Sequence, residues 1–291
     1  MTIRLVTDST ADLPPELAEK WNIKVVPLYV NFGQEEGDAT PKTGAVETLR
    51  DGVDIGPDEF YRRLVKSSVL PTTSQPTVQD FISVYQELTQ KEDQVISVHI
   101  SSVLSGTHNS AVQAKNSLGN SARVEVVDTT LASMGVGLAV LAGARAIESG
   151  ANFDEVLKEI QEALSQLRIF FVVDTLEYLQ KGGRIGRAQA FLGSLLSIKP
   201  ILTMEGGEIQ PLERVRTRGK ALQRLSKIVE EMAPLSEACV IHNTTPEDVN
   251  YLKESLSHLL SQDKIVTARL GACLGVHVGP GLLGVAARSA S

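Results

Sequence analysis

The sequence predicts an α/β fold, with an N-terminal α/β/α domain on a parallel sheet and a smaller C-terminal two-layer α/β domain with a mixed sheet. Three observations predict it. Short Val/Ile-rich runs at 3–7, 24–30, 94–100 and 124–127 alternate with helical segments in the first half, a pattern that covers a parallel sheet on both faces. Ser149-Gly150-Ala151-Asn152 ends one helix and caps the next, which divides the chain into domains 1–150 and 151–291. The second half then gathers strand-like runs around a Gly-Gly turn.

In order along the chain, the helical segments of the first half are 14–21, 57–66, 78–91, 109–118 and 135–149. Residues 34–52 are polar, Gly-containing and without a period, so an exposed excursion is expected there. The second half opens with a helix at 153–167 and continues with strands at 169–173, 199–204, 208–212, 238–242, 265–270 and 284–287. Helices are expected at 217–232 and 246–261, and Glu205-Gly206-Gly207 reads as a hairpin between adjacent strands. Ligands in parallel sheets sit beyond the carboxyl ends of the strands. Asp8-Ser9-Thr10, the 101–107 stretch and Asp128-Thr129-Thr130 should therefore converge on one cleft.

Composition narrows the function. With 28 Lys plus Arg against 35 Asp plus Glu, the 291-residue chain carries a net charge of −7, which argues against non-specific nucleic-acid binding. The start Met1-Thr2-Ile3-Arg4-Leu5-Val6 has no secretory pattern. The apolar stretch 131–144 is shorter than the roughly 20 residues that span a bilayer. A cytoplasmic protein without an integral membrane segment is expected, with at most transient contact at a membrane surface. Cys239 and Cys273 lie far apart with no metal-like spacing, so they read as reduced, buried thiols rather than a disulfide or zinc site.

Ser101-Ser102-Val103-Leu104-Ser105-Gly106-Thr107 runs from a strand into a helix start, and Thr72-Thr73-Ser74-Gln75-Pro76-Thr77 repeats its hydroxyl-rich character. Two such loops suit a carboxylate or phosphate held by neutral donors and helix-terminal N–H groups. The plainer alternative is that Ser105 and Ser74 only cap their own helices. His277 is bracketed by glycines in Gly275-Val276-His277-Val278-Gly279-Pro280-Gly281, which permits close backbone approach to a ligand. Ser105 with His277 could also form a serine esterase or thioesterase, although Gly-x-Ser-x-Gly is missing. His99, His108 and His258 have no obvious partner and read as surface or satisfied core residues.

Lys181-Gly182-Gly183-Arg184-Ile185-Gly186-Arg187 lacks phosphate-loop spacing, so its cations face an anion or a partner carboxylate. Arg214, Arg216 and Arg218 form either a solvated helix entrance or a docking patch. Phe191, Leu192, Leu195 and Leu196 lie in an apolar run that is either ordinary core or the wall of an acyl tunnel.

These motifs together resemble the DegV-like fatty-acid-binding proteins, the acyl-carrying subunits of bacterial fatty-acid kinase. The likeness spans nearly the whole chain, through Val6-Thr7-Asp8-Ser9-Thr10-Ala11-Asp12-Leu13-Pro14, both hydroxyl loops, Val127-Asp128-Thr129, Asp174-Thr175-Leu176-Glu177-Tyr178-Leu179, Lys181 to Ile185, Lys199-Pro200-Ile201-Leu202, Val215-Arg216-Thr217-Arg218 and Gly279-Pro280-Gly281. It implies that Thr73, Ser105 and the Gly106 N–H hold a fatty-acid carboxylate, with His277 nearby and Arg184 supporting the network. It further implies no cofactor, an apolar tunnel for the acyl chain, and a separate kinase subunit that makes the acyl phosphate, with Arg184, Arg214, Arg216 and Arg218 as docking candidates. The chain departs from the family pattern in a longer 34–51 segment and in Gly219, where a Lys is common.

Overall fold

A computed structural model describes residues 2–33, 46–90, 93–119, 123–193 and 198–290. Its first half runs β1 (Ile3–Asp8), α1 (Pro15–Lys20), β2 (Lys24–Val26), β3 (Tyr29–Phe32), β4 (Glu47–Arg50), α2 (Pro57–Lys66), β5 (Thr72–Ser74), α3 (Val78–Thr89), β6 (Gln94–His99), α4 (Thr107–Leu118), β7 (Val124–Asp128) and α5 (Met134–Glu148). The second half runs α6 (Phe153–Gln166), β8 (Leu167–Val172), α7 (Glu177–Lys181), β9 (Lys199–Glu205), β10 (Glu208–Val215), α8 (Arg218–Glu230), β11 (Leu235–His242), α9 (Pro246–Leu256), β12 (Ile265–Arg269), α10 (Ala272–Val278) and β13 (Leu283–Ser289).

The parallel sheet has the order β2-β1-β6-β7. Both faces are apolar because alternate residues of each strand are buried on opposite sides. Val6 and Val95 pack with Phe81, Tyr85, Ala111 and Ala114 of α3 and α4. Leu5 and Ile96 face the other way, into the cluster that holds α5. Every residue of α5 from Met134 to Ala144 is buried, as expected of a helix that is apolar all round. Its far side meets α6 and a six-stranded mixed sheet, β10-β9-β8-β13-β11-β12, in which only β11 and β12 are parallel. The opposite face of that sheet is closed by α8 and α9 through Leu225, Val229, Leu252 and Leu256. The expected α/β/α half and mixed-sheet half are both present, and α5 with α6 forms a helical layer between the two sheets. The hairpin turn sits where it was expected, with both Gly206 and Gly207 at positive φ, +61° and +85°, the backbone a two-residue turn of this kind requires.

Several features depart from the sequence reading. The single strand expected at 24–30 is two, because Pro27 supplies no N–H to a ladder, and the chain leaves the parallel sheet there. The second piece enters a small antiparallel sheet, β4-β3-β5. Residues 47–50 of the expected excursion supply one edge, Phe32 pairing with Glu47, and β5 supplies the other, Val30 pairing with Thr73; 34–45 lie outside the described residues. In the second hydroxyl loop it is Thr77, and not Ser74, that caps α3, its Oγ1 accepting from the Asp80 N–H at 3.1 Å. Finally, α10 was not foreseen, and it packs with Leu28, Val30, Phe60 and Tyr61 of the first half.

A buried polar chain braces the carboxyl ends of the central strands. Tyr85 donates to Ser97 Oγ at 2.8 Å, Ser97 meets His99 Nε2 at 2.7 Å, and His99 Nδ1 meets Asp8 Oδ2 at 2.8 Å. Asp8 Oδ1 in turn accepts from the Thr10 N–H and hydroxyl. His99 is thus a fully satisfied core residue.

Candidate functional site

The strand ends open onto a cavity that lies between the two large sheets. Its empty space, counted together with the part open to solvent at the mouth, totals about 780 Å³. The walls are overwhelmingly apolar: Ile100, Ile169, Phe171, Met204, Ile209 and Ile241 are among them. Thr73, Ser105, His277 and Arg184 supply polar groups to the same lining.

Each of these groups arrives on a different element. Thr73 is the middle residue of β5, and His277 stands near the end of α10; Thr73 Oγ1 and His277 Nε2 are 2.9 Å apart. His277 Nδ1 is buried with no hydrogen-bond partner. Gly182 closes over that nitrogen so tightly that a Cβ on it would sit 2.3 Å away. Burial, followed by the nearby Arg184 charge, lowers the His277 pKa to about 4, so the ring is neutral at pH 7. A neutral imidazole has one N–H and threonine one O–H. The hydrogen bond between them consumes one donor: with the proton on Nε2 the Thr73 hydroxyl keeps its own, whereas with it on Nδ1 the spare N–H is the one sealed beneath Gly182.

Ser105 lies just before α4. Its Oγ accepts from the Thr107 N–H at 3.3 Å and is 2.9 Å from Thr107 Oγ1. Capping and ligand contact are compatible, because a hydroxyl accepting from a backbone N–H still carries its own proton. Gly106 brings the two hydroxyl loops together: a Cβ there would lie 2.7 Å from Gln75 Nε2. Arg184 follows α7 and is exposed. Its Nε donates to Leu104 O at 3.2 Å and its Nη1 to Gly182 O at 2.7 Å, joining the loop over His277 to the Ser105 loop.

The other sequence candidates fall elsewhere. Phe191 and Leu192 pack against the central core and are not among the cavity-lining residues; Leu195 and Leu196 lie outside the described residues. The cavity walls come instead from the mixed sheet and α10, whose inward residues look like ordinary core in the sequence. The Arg214 guanidinium stacks 4.3 Å from the Phe191 ring centroid and donates to Ala190 O, while Arg216 is exposed. Arg218 is engaged inside the fold, with Asp248, Thr245 Oγ1 and Gly281 O. That engagement removes it from a free docking patch.

The position of α10 depends on two buried carboxyls from the first half. Asp12 accepts from the Gly271 N–H at 2.7 Å, and Asp51 from the Ala272 and Cys273 N–H groups at 3.0 and 3.2 Å. Burial raises both, Asp51 to about 6. A folded-state value above the unfolded one means that the native state holds more protons between pH 4 and 6, so this group's contribution to stability falls as pH rises through that window. His277 acts in the opposite sense, its lowered value making stability rise with pH between about 4 and 6.5. Thermal unfolding of Asp51→Asn against pH should therefore show a variant that gains on wild type from pH 4 to 6; parallel curves would refute the assignment.

The site is thus a cavity of mostly apolar walls in an α/β protein, with the hydroxyls of two loops and an arginine at one end. The chain belongs to the DegV family: the profile described as "Uncharacterised protein, DegV family" matches residues 2–290. Protein DegV of Bacillus subtilis is 37% identical over 289 residues, covering 98% of each chain. A DegV family protein from Thermus thermophilus, whose solved structure is described as fatty-acid binding, is 38% identical with a TM-score of 0.89 over 100% of both chains. A stearic-acid-binding protein from Eubacterium ventriosum is 30% identical, with a TM-score of 0.85 over 99% of this chain and 98% of that one.

Proposed function

We propose that this chain binds one long-chain fatty acid, with its tail in the cavity between the sheets and its carboxylate among Thr73, Ser105, the Gly106 N–H and His277. The observation that carries the reading is the Thr73–His277 pair beside an apolar cavity, in which the Nε2–H tautomer leaves the Thr73 hydroxyl proton for a ligand. Burial of the tail contributes about 0.8 kcal/mol per CH₂, and the donors offset the cost of taking the carboxylate out of water. The fatty-acid-binding relatives support the same reading. The first half carries the hydroxyl loops; the second brings His277 and most of the acyl-chain walls.

The resemblance extends the proposal to a carrier that presents its fatty acid to a separate kinase subunit for conversion to acyl phosphate. The exposed Arg184 beside the site, with Arg214 and Arg216, is the cationic surface such a partner would meet. The esterase reading is less well supported: Ser105 Oγ pairs with Thr107, His277 Nε2 pairs with Thr73, and no carboxylate orients His277 Nδ1 among the described residues.

Native mass spectrometry of the purified protein, followed by denaturation and identification of released lipid, tests the proposal. One fatty acid per chain is expected, together with no turnover of acyl esters. An empty chain that takes up no added fatty acid, or one that hydrolyses esters, would overturn it.

A further inference from the structure

The central strand of the mixed sheet is short of side-chain volume where it meets the cavity. On β13, Leu283, Val285 and Ala287 point into the core beneath α8 and α9, whereas Ala286 belongs to the core between the sheets. Alternation puts Gly284 on that same inner face, and Gly284 is the one glycine among the described cavity-lining residues. The register sets Gly284 opposite Phe171 on β8 and Ile241 on β11. Both of these line the cavity as well. The next inward row is Ile169, Ala286 and Cys239, of which only Ile169 reaches the cavity.

The sheet surface here is a trough. Neighbouring strands are about 4.8 Å apart, so β8 and β11 stand about 9.6 Å from one another across β13, leaving one strand's width between Phe171 and Ile241 for a single polymethylene chain. No unusual backbone demands the glycine, since Gly284 is absent from the positive-φ residues. A Cβ at this position would lie 2.9 Å from Phe171 Cβ and 3.0 Å from Phe170 O. Adding one would press β13 against β8 and displace the Phe171 side chain that forms the wall.

We infer that Gly284, between the walls Phe171 and Ile241, is the position that determines which acyl chains the protein accepts, the chain crossing the sheet over Gly284. The inference rests on the fatty-acid reading and adds the path of the tail. Gly284→Ala narrows the trough, Ile241→Ala widens it, and neither touches Thr73, Ser105 or His277.

The test is competition binding of straight-chain saturated fatty acids from decanoate to eicosanoate to the full-length protein, with cis-monounsaturated acids alongside. Gly284→Ala should keep decanoate affinity within about twofold while losing tenfold or more for the longest chains. Ile241→Ala should shift the optimum to longer or bent chains, and it keeps the inference testable if Gly284→Ala does not fold. An unchanged profile in Ile241→Ala, or a uniform drop across the series in either folded variant, would overturn the assignment. A wild-type protein that binds no member of the series would instead overturn the fatty-acid reading itself.

Discussion

Replacing Thr73 and Ser105 together by alanine is expected to weaken fatty-acid binding by at least about a hundredfold, since hydrogen bonds to a charged group contribute about 1.5–3 kcal/mol each. The two hydroxyls reach the mouth from β5 and from the loop before α4, and neither is essential to the core. Thr73 Oγ1 meets His277 and the Cys273 thiol, and Ser105 Oγ meets Thr107. The loss should fall on head-group recognition: the double variant should bind the free acid and its methyl ester about equally, whereas wild type prefers the acid. A competition assay with both ligands reads this directly. Unchanged affinity for the acid would remove these residues from the site.

The second large effect lies in the fold. His99→Leu should cost about 3–5 kcal/mol, because it leaves the Asp8 carboxylate buried without the ring that meets Oδ2. Both side chains are fully buried, so water cannot replace the lost partner. The loss corresponds to a fall in Tm on the order of 5 °C for a chain of this length. Adding Asp8→Asn should restore part of it, since the uncompensated charge is then gone. Denaturant titration of the single and double variants gives the comparison; a single variant within about 1 kcal/mol of wild type would show that the pair does not brace the strand ends.

The hydroxyl loops were legible in the sequence because strand, small polar residues and helix follow one another locally. The parallel sheet was legible for a similar reason, its Val/Ile runs being long enough to show a pattern. What could not be read depended on contacts distant in the chain. The α10 sequence, Ala-Cys-Leu-Gly-Val-His-Val, contains a glycine and two β-branched valines, a weak helix on propensity alone. It is helical where Asp12 and Asp51 meet its first N–H groups and Phe60 and Tyr61 pack against it. Thr72–Ser74 is too short to show a strand period and exists as β5 only by pairing with β3. The cavity walls were hidden for a different reason. An inward Ile on a strand has the same pattern whether it meets another side chain or an empty slot, and Phe191 and Leu192 offered the more conspicuous apolar run.

The helix pair α5 and α6 carries a consequence for how cargo is exchanged. Because α5 is buried from Met134 to Ala144 between two sheets, swinging one half of the molecule away from the other would strip it of a partner surface and expose apolar area along that stretch. A clamshell opening is therefore far more costly than rearranging a few residues at the rim. On the proposed fatty-acid reading, loading and unloading would then fall to the strap from Gly182 to Arg184, which one Arg184 hydrogen bond folds back on Gly182 O and the other ties to Leu104 O. On that reading the molecule would act as a rigid sleeve with a small door, and the exchange rate would be set at that strap rather than by motion of its two halves.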